Sequence, residues 1–395
     1  MGPSDVGLAD GDVLRTESAQ NRTARRRRRR IGLIALMAVA AIALAACGDD
    51  DDGGGGGGGD GGGSGGGEDY RIAIMSVGAE NDKSWSNANF DGAKEGAEEY
   101  GADLTVVPNL GTPEDYVQQG AAFARRGYDM VLMQHGAMTE PATQIATQFP
   151  DTKVGIVWDP TDEQRESLPE NLFTWDPRQQ DGGFLAGALA GLVTKSNVVA
   201  GITGAPFPAI IRQPEAFSLG ARCVNPDVRV LIRYTGDVTF ADAGLARGAA
   251  ESVMGDGADV LFTALDGAVN GVIQAAKSKP NTYVIGQYFD QADKAPDVIL
   301  TSVLHNLQGI NKELVRMGVQ DELKPSGHYE YTLANLDVGT LAGFGQLEDV
   351  VTPEIQKQLD EVEKKVRNGD IKVPDNEELA EEGSAENIDP ADLGC

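Results

Sequence analysis

Cysteine and histidine are both scarce in this chain of 395 residues, which holds only three of each. Their scattered positions give neither the ligand spacing of a zinc site nor enough cysteines for a disulfide framework. The sequence also lacks an Asp-rich metal motif and a recognisable Ser/His/Asp or Cys/His arrangement, the groups on which hydrolytic chemistry depends. We therefore expect no metal site, no cofactor and no enzymatic activity.

Positive charge is scarce as well. The chain has 33 lysines and arginines against 61 aspartates and glutamates, a formal net charge of −28. The first 46 residues hold eight of those arginines, so the remainder is more acidic still. Binding to nucleic acid or to anionic lipid headgroups needs basic surface. We expect no nucleic-acid partner and no adhesion of the folded part to lipid.

A long apolar run is missing too. The uncharged stretch 31–46 has 16 residues, fewer than the roughly 20 that span a bilayer, which argues against a transmembrane helix. Six arginines, 25–30, precede this stretch, and Leu44-Ala45-Ala46-Cys47 closes it. A basic start, a short apolar core and small residues predict a signal peptide over 1–46. Residues 44–47 are similar to a bacterial lipobox. This similarity implies a lipid-modified Cys47 and an anchor on the extracytoplasmic face of the cell membrane.

The residues after Cys47 divide into three parts. Residues 47–69 combine the lipidated cysteine with a Gly/Asp linker that has no apolar side chains to bury. The folded part begins at Tyr70 and ends near Pro374. The acidic tail 375–395 lacks apolar periodicity and is predicted to be disordered. Whether Cys223 pairs with Cys395 stays open at this point.

Short apolar runs alternate with helical patterns throughout the folded part, and the pattern starts again near residue 179. Such alternation predicts parallel sheets with right-handed crossovers, here two doubly wound lobes of the α/β class. The predicted strands are 71–77, 104–108, 129–134, 153–158, 197–202, 228–234, 259–264, 282–288 and 298–304. The predicted helices are 86–100, 113–126, 142–149, 179–193, 215–223, 241–254, 269–277, 308–319 and 354–368. Ligands of such sheets bind beyond the carboxyl ends of the strands.

An ordered set of motifs resembles one known family. The chain reads NDKSWSNANFDGAKEGAEEYG after the first strand, and later GGFLAGALAGLVTKSNVVAGITG, AFSLGAR, YTGDVTFADAG, GADVLFTALDGAVNGVIQAA, FDQ, LTSVL and IKVP. Order and spacing together are similar to the basic membrane protein (PnrA-like) family of substrate-binding lipoproteins. The resemblance covers nearly all of residues 70–374. It implies a periplasmic-binding-protein type I fold, in which two lobes joined by a hinge close on a ligand.

The resemblance also implies domains, function and partners. Lobe 1 is expected over 70–175 plus about 304–330, and lobe 2 over 176–303 plus about 331–374. The expected function is capture of a purine nucleoside, nucleobase or similar heteroaromatic solute for an ABC permease. We expect a monomer. A surface sensor lipoprotein is the alternative, and an enzyme that processes nucleosides is less favoured.

Site positions of the family can be matched to residues of this sequence, and at some of them the residue differs. Trp85 occupies the position of the family aromatic that stacks on the base, although it can instead pack beneath the first helix. Ser86 replaces an asparagine, for which Asn87 offers an amide. Tyr288 replaces an aspartate that grips ribose hydroxyls, and His305 replaces a lysine. A phenol cannot accept from two vicinal hydroxyls as a carboxylate does, so these changes predict a weaker preference for ribonucleosides.

Other candidates come from their places after strands. Asp266 follows a strand, where it either recognises a ligand or caps the next helix. Trp175 is either a second stacking wall or a residue packed at the hinge. His135 follows the third strand and faces the cleft mouth by position. The full set of predicted ligand-binding residues is Asp82, Trp85, Ser86, Asn87, His135, Trp175, Asp266, Tyr288, Asp290 and His305.

Overall fold

The computed structural model describes residues 70–395, so the predicted signal peptide, Cys47 and the Gly/Asp linker lie outside the described residues. The strands of the described part are β1 Arg71–Met75, β2 Asp103–Val107, β3 Met130–Met133, β4 Lys153–Val157, β5 Leu172–Pro177, β6 Val198–Thr203, β7 Arg229–Tyr234, β8 Val260–Ala264, β9 Tyr283–Gln287, β10 Ile299–Leu304, β11 His328–Tyr331 and β12 Thr340–Leu341. Its α-helices are α1 Trp85–Tyr100, α2 Pro113–Arg125, α3 Thr139–Gln148, α4 Asp162–Glu166, α5 Gln179–Val193, α6 Pro208–Val224, α7 Ala243–Gly255, α8 Val269–Ala276, α9 Leu307–Val319, α10 Leu333–Leu336 and α11 Pro353–Asn368.

The strands form two sheets of six with the same topology. The first sheet has the order β2-β1-β3-β4-β5-β11, and the second has the order β7-β6-β8-β9-β10-β12. All pairings are parallel except that of β12 with β10. Strand order reverses beside β1 in one sheet and beside β6 in the other. The predicted α/β class with two doubly wound lobes is confirmed.

Each sheet is covered on both faces, which explains why its strands are almost continuously apolar. In β1, Ile72 and Ile74 belong to one core cluster, and Ala73 and Met75 belong to another on the opposite face. All four residues of β3 are buried. Successive side chains of a strand point to opposite faces, so a strand buried on both faces needs no polar alternation.

The chain passes between the sheets three times. It leaves the first sheet between β5 and α5, returns between β10 and α9, and leaves again between β11 and α10. We call the body built on the first sheet the first lobe and the other the second lobe. The three crossings form the hinge.

Glycines bring α5 and α6 of the second lobe into close contact. A Cβ added at Gly187 would lie 2.0 Å from the carbonyl oxygen of Phe217, and one at Gly220 would lie 1.9 Å from that of Phe184. The backbones therefore touch along the small residues of the segment GGFLAGALAG. Helix α6 begins seven residues before its predicted start, because Pro214 lies inside the helix rather than at its beginning.

The prediction of a disordered tail over 375–395 was wrong. Leu379 is fully buried in the core of the second lobe and Ala385 nearly so. The carboxylate of Glu215 accepts hydrogen bonds from the backbone nitrogens of Gly383, at 2.8 Å, and Ala385, at 2.9 Å. A few buried apolar side chains and these local hydrogen bonds order a segment whose overall composition is acidic.

Cys223 of α6 and Cys395 form a disulfide, which answers the question that the sequence left open. The bond joins residues 172 positions apart and fixes the end of the tail to α6. Within residues 70–395, none of the helices is both long and apolar enough to cross a bilayer.

Candidate functional site

The two lobes touch through the loops that follow β1 and β8. The hydroxyl of Ser84, in the first lobe, donates to the Oδ1 atom of Asp266, in the second lobe, at 2.5 Å. Both residues lie at carboxyl ends of strands next to the point where strand order reverses, the usual ligand position in open α/β sheets. The lobes are thus in contact across the predicted cleft.

The loop after β1 is held by its own side chains. Asp82 accepts from the backbone nitrogens of Ser84, at 2.8 Å, and Asn87, at 3.1 Å, and so caps the start of α1. The hydroxyl of Ser86 lies 2.8 Å from that of Ser76, and the side-chain amide of Asn87 donates to Asp91. The structure brings these predicted residues together, with hydrogen bonds that shape the loop.

Trp85 lies at the centre of an aromatic cluster. Its indole nitrogen donates to the backbone carbonyl of Gln134, at the end of β3, at 2.7 Å. Its ring is parallel to that of Trp175, with centroids 6.2 Å apart and planes 4° apart. Its other aromatic neighbour is Tyr288, in an edge-on contact at 5.9 Å. Trp175 is fully buried in the core of the first lobe, which agrees with its packing role at the hinge.

Tyr288 extends the cluster from the second lobe. It follows β9 with φ at +71°, a left-handed conformation that costs a tyrosine of order 1–3 kcal/mol and is typical of functional sites. Its ring centroid lies 5.3 Å from that of His305, which follows β10. Burial raises the pKa of Tyr288 well above its usual value, and the charge of Asp266 adds to that effect. The phenol is therefore neutral.

His305 is fully buried, and neither of its ring nitrogens has a hydrogen-bond partner in the described part of the chain. Burial lowers the pKa of His305 to about 3, so the ring is neutral at physiological pH. A neutral imidazole has one donor nitrogen and one acceptor nitrogen. It thus offers an unpaired donor and an unpaired acceptor beside Tyr288.

Asp266 does not cap the helix that follows it. Helix α8 starts without a side-chain cap, and the described contact of the Asp266 carboxylate is the hydrogen bond from Ser84 across the cleft. Burial raises the pKa of Asp266 to about 7, while the bond from Ser84 opposes the rise and the charge of Asp82 adds to it. Asp266 is thus an interlobe contact.

Sequence reasoning missed the glutamines of this region. Gln134 is fully buried, and its amide nitrogen donates to Asn311 of α9, which in turn donates to Asn89 of α1. Its Oε1 atom is unpaired among the described residues, as are Gln287 Oε1 and the indole nitrogen of Trp175. Gln134 and Gln287 lie at the ends of strands, and this position in the sequence could have identified them as candidate site residues. Buried polar atoms without partners are rare and often mark the place of a ligand or water.

Two predicted residues make local contacts instead. The Nδ1 atom of His135 accepts from the backbone nitrogen of Ala137 at 3.1 Å, and burial lowers the pKa of this ring. Asp290 is exposed, and its carboxylate accepts from the backbone nitrogen of Ala292 at 3.0 Å. Both shape turns next to strand ends. The described contacts do not join either residue to the aromatic cluster.

The family model for PnrA-like ABC transporter substrate-binding proteins matches residues 70–377, which cover both lobes and the site between them. The chain belongs to this family.

Three similar proteins illustrate the membership of this PnrA-like chain. Basic membrane protein A of Borreliella burgdorferi is 26% identical over 313 residues, which cover 79% of this chain and 89% of that protein. A purine-binding protein of Brucella abortus is 24% identical, over 60% of this chain and 65% of that protein. A solute-binding protein structure from Conexibacter woesei is 24% identical, with a TM-score of 0.64, and covers 78% of this chain and 99% of that one.

The PnrA-like family and the fold are those of solute-binding proteins and not of enzymes. The expected family is confirmed, and so is the type I binding-protein fold. Members of the family are extracytoplasmic, bind a small molecule and serve the permease of an ABC transporter.

Proposed function

We propose that this protein is a lipid-anchored solute-binding protein that captures a purine nucleobase, nucleoside or similar heteroaromatic compound between its lobes. The observation that carries this proposal is the interlobe cluster of Trp85, Trp175, Tyr288 and His305 with its unpaired polar atoms. Trp175 and His305 are fully buried, and Trp85 and Tyr288 are partly buried. An indole supplies a large flat face for a ring compound. The similarity to a purine-binding protein of Brucella abortus supports a purine.

Charge complementarity favours an uncharged ligand. The phenol of Tyr288 and the imidazole of His305 are both neutral, and the unpaired atoms include donors and acceptors. A phosphate or carboxylate would need a buried cation as a partner, because an unpaired charge is expensive to bury. A purine edge, with ring nitrogens and exocyclic groups, offers both kinds of hydrogen-bonding atom.

The free base is the preferred form of that purine. Tyr288 stands where a carboxylate would accept from two ribose hydroxyls, and it offers one hydroxyl instead. Each buried hydroxyl without an acceptor costs about 1–3 kcal/mol. Asp266 is the group best placed to compensate, since it already lies at the interlobe contact. A nucleobase therefore binds at least as tightly as its ribonucleoside.

Delivery depends on the two lobes. A ligand that contacts both lobes shifts the population toward the closed form by its differential affinity for that form. The permease then recognises the closed, loaded protein. Cys47 holds the protein at the membrane, and the Gly/Asp linker keeps the lobes free of it. Lipid chains of two or three per cysteine give a stable anchor.

The identity of the solute is tested by mass spectrometry of small molecules released from the purified protein. We expect a purine or a related ring compound in stoichiometric amount. A thermal-shift screen with bases and nucleosides checks the result, because ligand at 100 times its dissociation constant adds about 2.7 kcal/mol of stability. Release of a sugar, an amino acid or a peptide would contradict the proposal.

A further inference from the structure

The tail after α11 reaches the hinge as well as the second lobe. Its far end is fixed to α6 by the disulfide of Cys223 and Cys395. Arg222, also on α6, donates to the carbonyl oxygens of Ala385, at 2.8 Å, and Ile388, at 3.0 Å. The tail is therefore a rigid part of the second lobe over its last eleven residues.

The near end of the tail lies against the first crossing of the chain. Arg178, between β5 and α5, donates to the carbonyl oxygen of Val373 at 3.1 Å. Gln180, in the first turn of α5, donates to the side-chain oxygen of Asn376 at 2.7 Å. The residues that connect the lobes thus hydrogen-bond to the tail on both sides of Pro374.

Asn376 extends from the tail to the first lobe. Its amide nitrogen donates to the carboxylate of Asp159, which follows β4, and to Oδ2 of Asp176, in β5, at 3.3 Å. Arg212 of α6 binds Oδ1 of Asp176 at 2.8 Å and lies 3.9 Å from Asp159. Two carboxylates of the first lobe therefore face one arginine and one amide of the second lobe.

This group adjoins the aromatic cluster along β5, where Asp176 follows Trp175. Arg212 and Asp176 are nearly buried, with side chains 7% and 2% exposed, so their charges depend on one another. His328 of β11 holds Asp159 from the other side, at 3.3 Å, and its second nitrogen bonds the hydroxyl of Thr174. Asp159 is thus fixed within the first lobe, and a change in the angle between the lobes must move Asn376 away from it.

We propose that the C-terminal tail is a brace across the hinge, and that its Asn376 holds the lobes in the contacting arrangement. We call Asp159, Asp176, Arg212 and Asn376 the hinge brace. The disulfide keeps the tail in position, so the brace depends on the bond between Cys223 and Cys395. This inference rests on the fold and the contacts, and it holds whichever solute the cleft takes.

Small-angle X-ray scattering of the ligand-free full chain tests the brace. Asn376→Ala removes the amide, while Asn387→Ala is a matched control at an exposed tail position. We expect Asn376→Ala to shift the scattering toward a more open pair of lobes, and Asn387→Ala to match the parent. Loss of a hydrogen bond to a charged group changes such an equilibrium about tenfold.

The disulfide supplies an independent arm. The double variant Cys223→Ser, Cys395→Ser is expected to open the lobes as Asn376→Ala does. Adding Asn376→Ala to this double variant is expected to open the lobes no further. If Asn376→Ala does not fold, Asn376→Asp keeps the size of the side chain and adds a third carboxylate. Alternatively, a thiol reductant breaks the disulfide of the parent protein. Both changes are expected to open the lobes. Scattering that stays equal to the parent in folded Asn376 variants, or after verified reduction, would overturn the proposal.

Discussion

At the residue scale, the site is an aromatic cluster with polar atoms that have no partner in the described chain. The ring of Trp85 is partly exposed, and its indole nitrogen already donates to the carbonyl of Gln134. Its flat face is therefore the part that remains for a ligand. The role of Trp85 as a stacking surface stays a prediction that substitution tests directly.

Trp85→Ala is expected to weaken binding of adenine by about 1–3 kcal/mol, the usual range for base stacking on an aromatic side chain. Trp85→Phe keeps an aromatic face but loses the hydrogen bond to Gln134, so it should lose less. Calorimetry with both folded variants measures the difference. Equal affinity of the parent and Trp85→Ala would show that the ring only packs.

Asp266 gives a prediction about pH. Because its pKa is raised to about 7 in the closed structure, the folded protein binds a proton there that the unfolded chain, with an aspartate pKa near 3.9, has already released. The free energy of unfolding therefore falls as pH rises from about 4 to about 7, by at most about 1.4 kcal/mol per pH unit, and levels off above 7.

Asp266→Asn removes this titration while preserving the size of the side chain. Denaturant unfolding of the ligand-free parent and variant between pH 4 and 8 should give curves that diverge across that window, with the parent losing stability relative to the variant. Parallel curves would mean that Asp266 is solvated in the ligand-free protein and that the lobes are apart.

At the element scale, the contact between α5 and α6 depends on glycine. Gly187→Ala places a methyl group 2.0 Å from the carbonyl oxygen of Phe217, so the helices must separate. We expect a loss of about 1–3 kcal/mol in the free energy of unfolding, the usual cost of overpacking.

Gly248→Ala in α7 is the matched control, because nothing lies within 4 Å of its added Cβ. That substitution should be neutral or stabilise the protein by up to about 1 kcal/mol, since alanine is the better helix former. Denaturant unfolding of both variants checks the pair. A Gly187→Ala protein as stable as the control would contradict the close packing.

Most of the strands could be predicted from the sequence, but some could not. The predicted apolar runs include β1, β3, β4, β6, β8, β9 and β10, because a strand buried on both faces is almost continuously apolar. β5 was missed, since Asp176 and Pro177 interrupt its apolar run at the hinge. β11 reads HYEY at a sheet edge, where pairing with β5 decides the structure and composition does not.

Part of the site could also be predicted from the sequence. Positions after strands pointed to Trp85, Asp266, Tyr288 and His305, and the structure brings these together. Gln134 and the hinge brace could not be found this way, because they depend on which distant elements meet. Asn376 contacts a residue 217 positions away, in a tail whose composition suggested disorder.

At the scale of the whole molecule, the predicted anchor at Cys47 has a simple test. Cys47→Ala removes the thiol that would carry the lipid, and the protein should then move from the detergent phase to the aqueous phase on partitioning. A serine substitution at Cys223 and Cys395 serves as the control, since it removes the other two cysteines but leaves Cys47. Unchanged membrane association of Cys47→Ala would contradict the lipid anchor.

Calorimetric titration of the purified protein, cleared of bound solute, tests the proposed function. The titrants are adenine and adenosine, and the guanine and pyrimidine pairs. We expect saturable binding of a purine at one site, with the base bound at least as tightly as its ribonucleoside. A ribonucleoside bound tenfold or more tightly than its base would contradict the argument from Tyr288, and no binding of any base or nucleoside would contradict the proposed function itself.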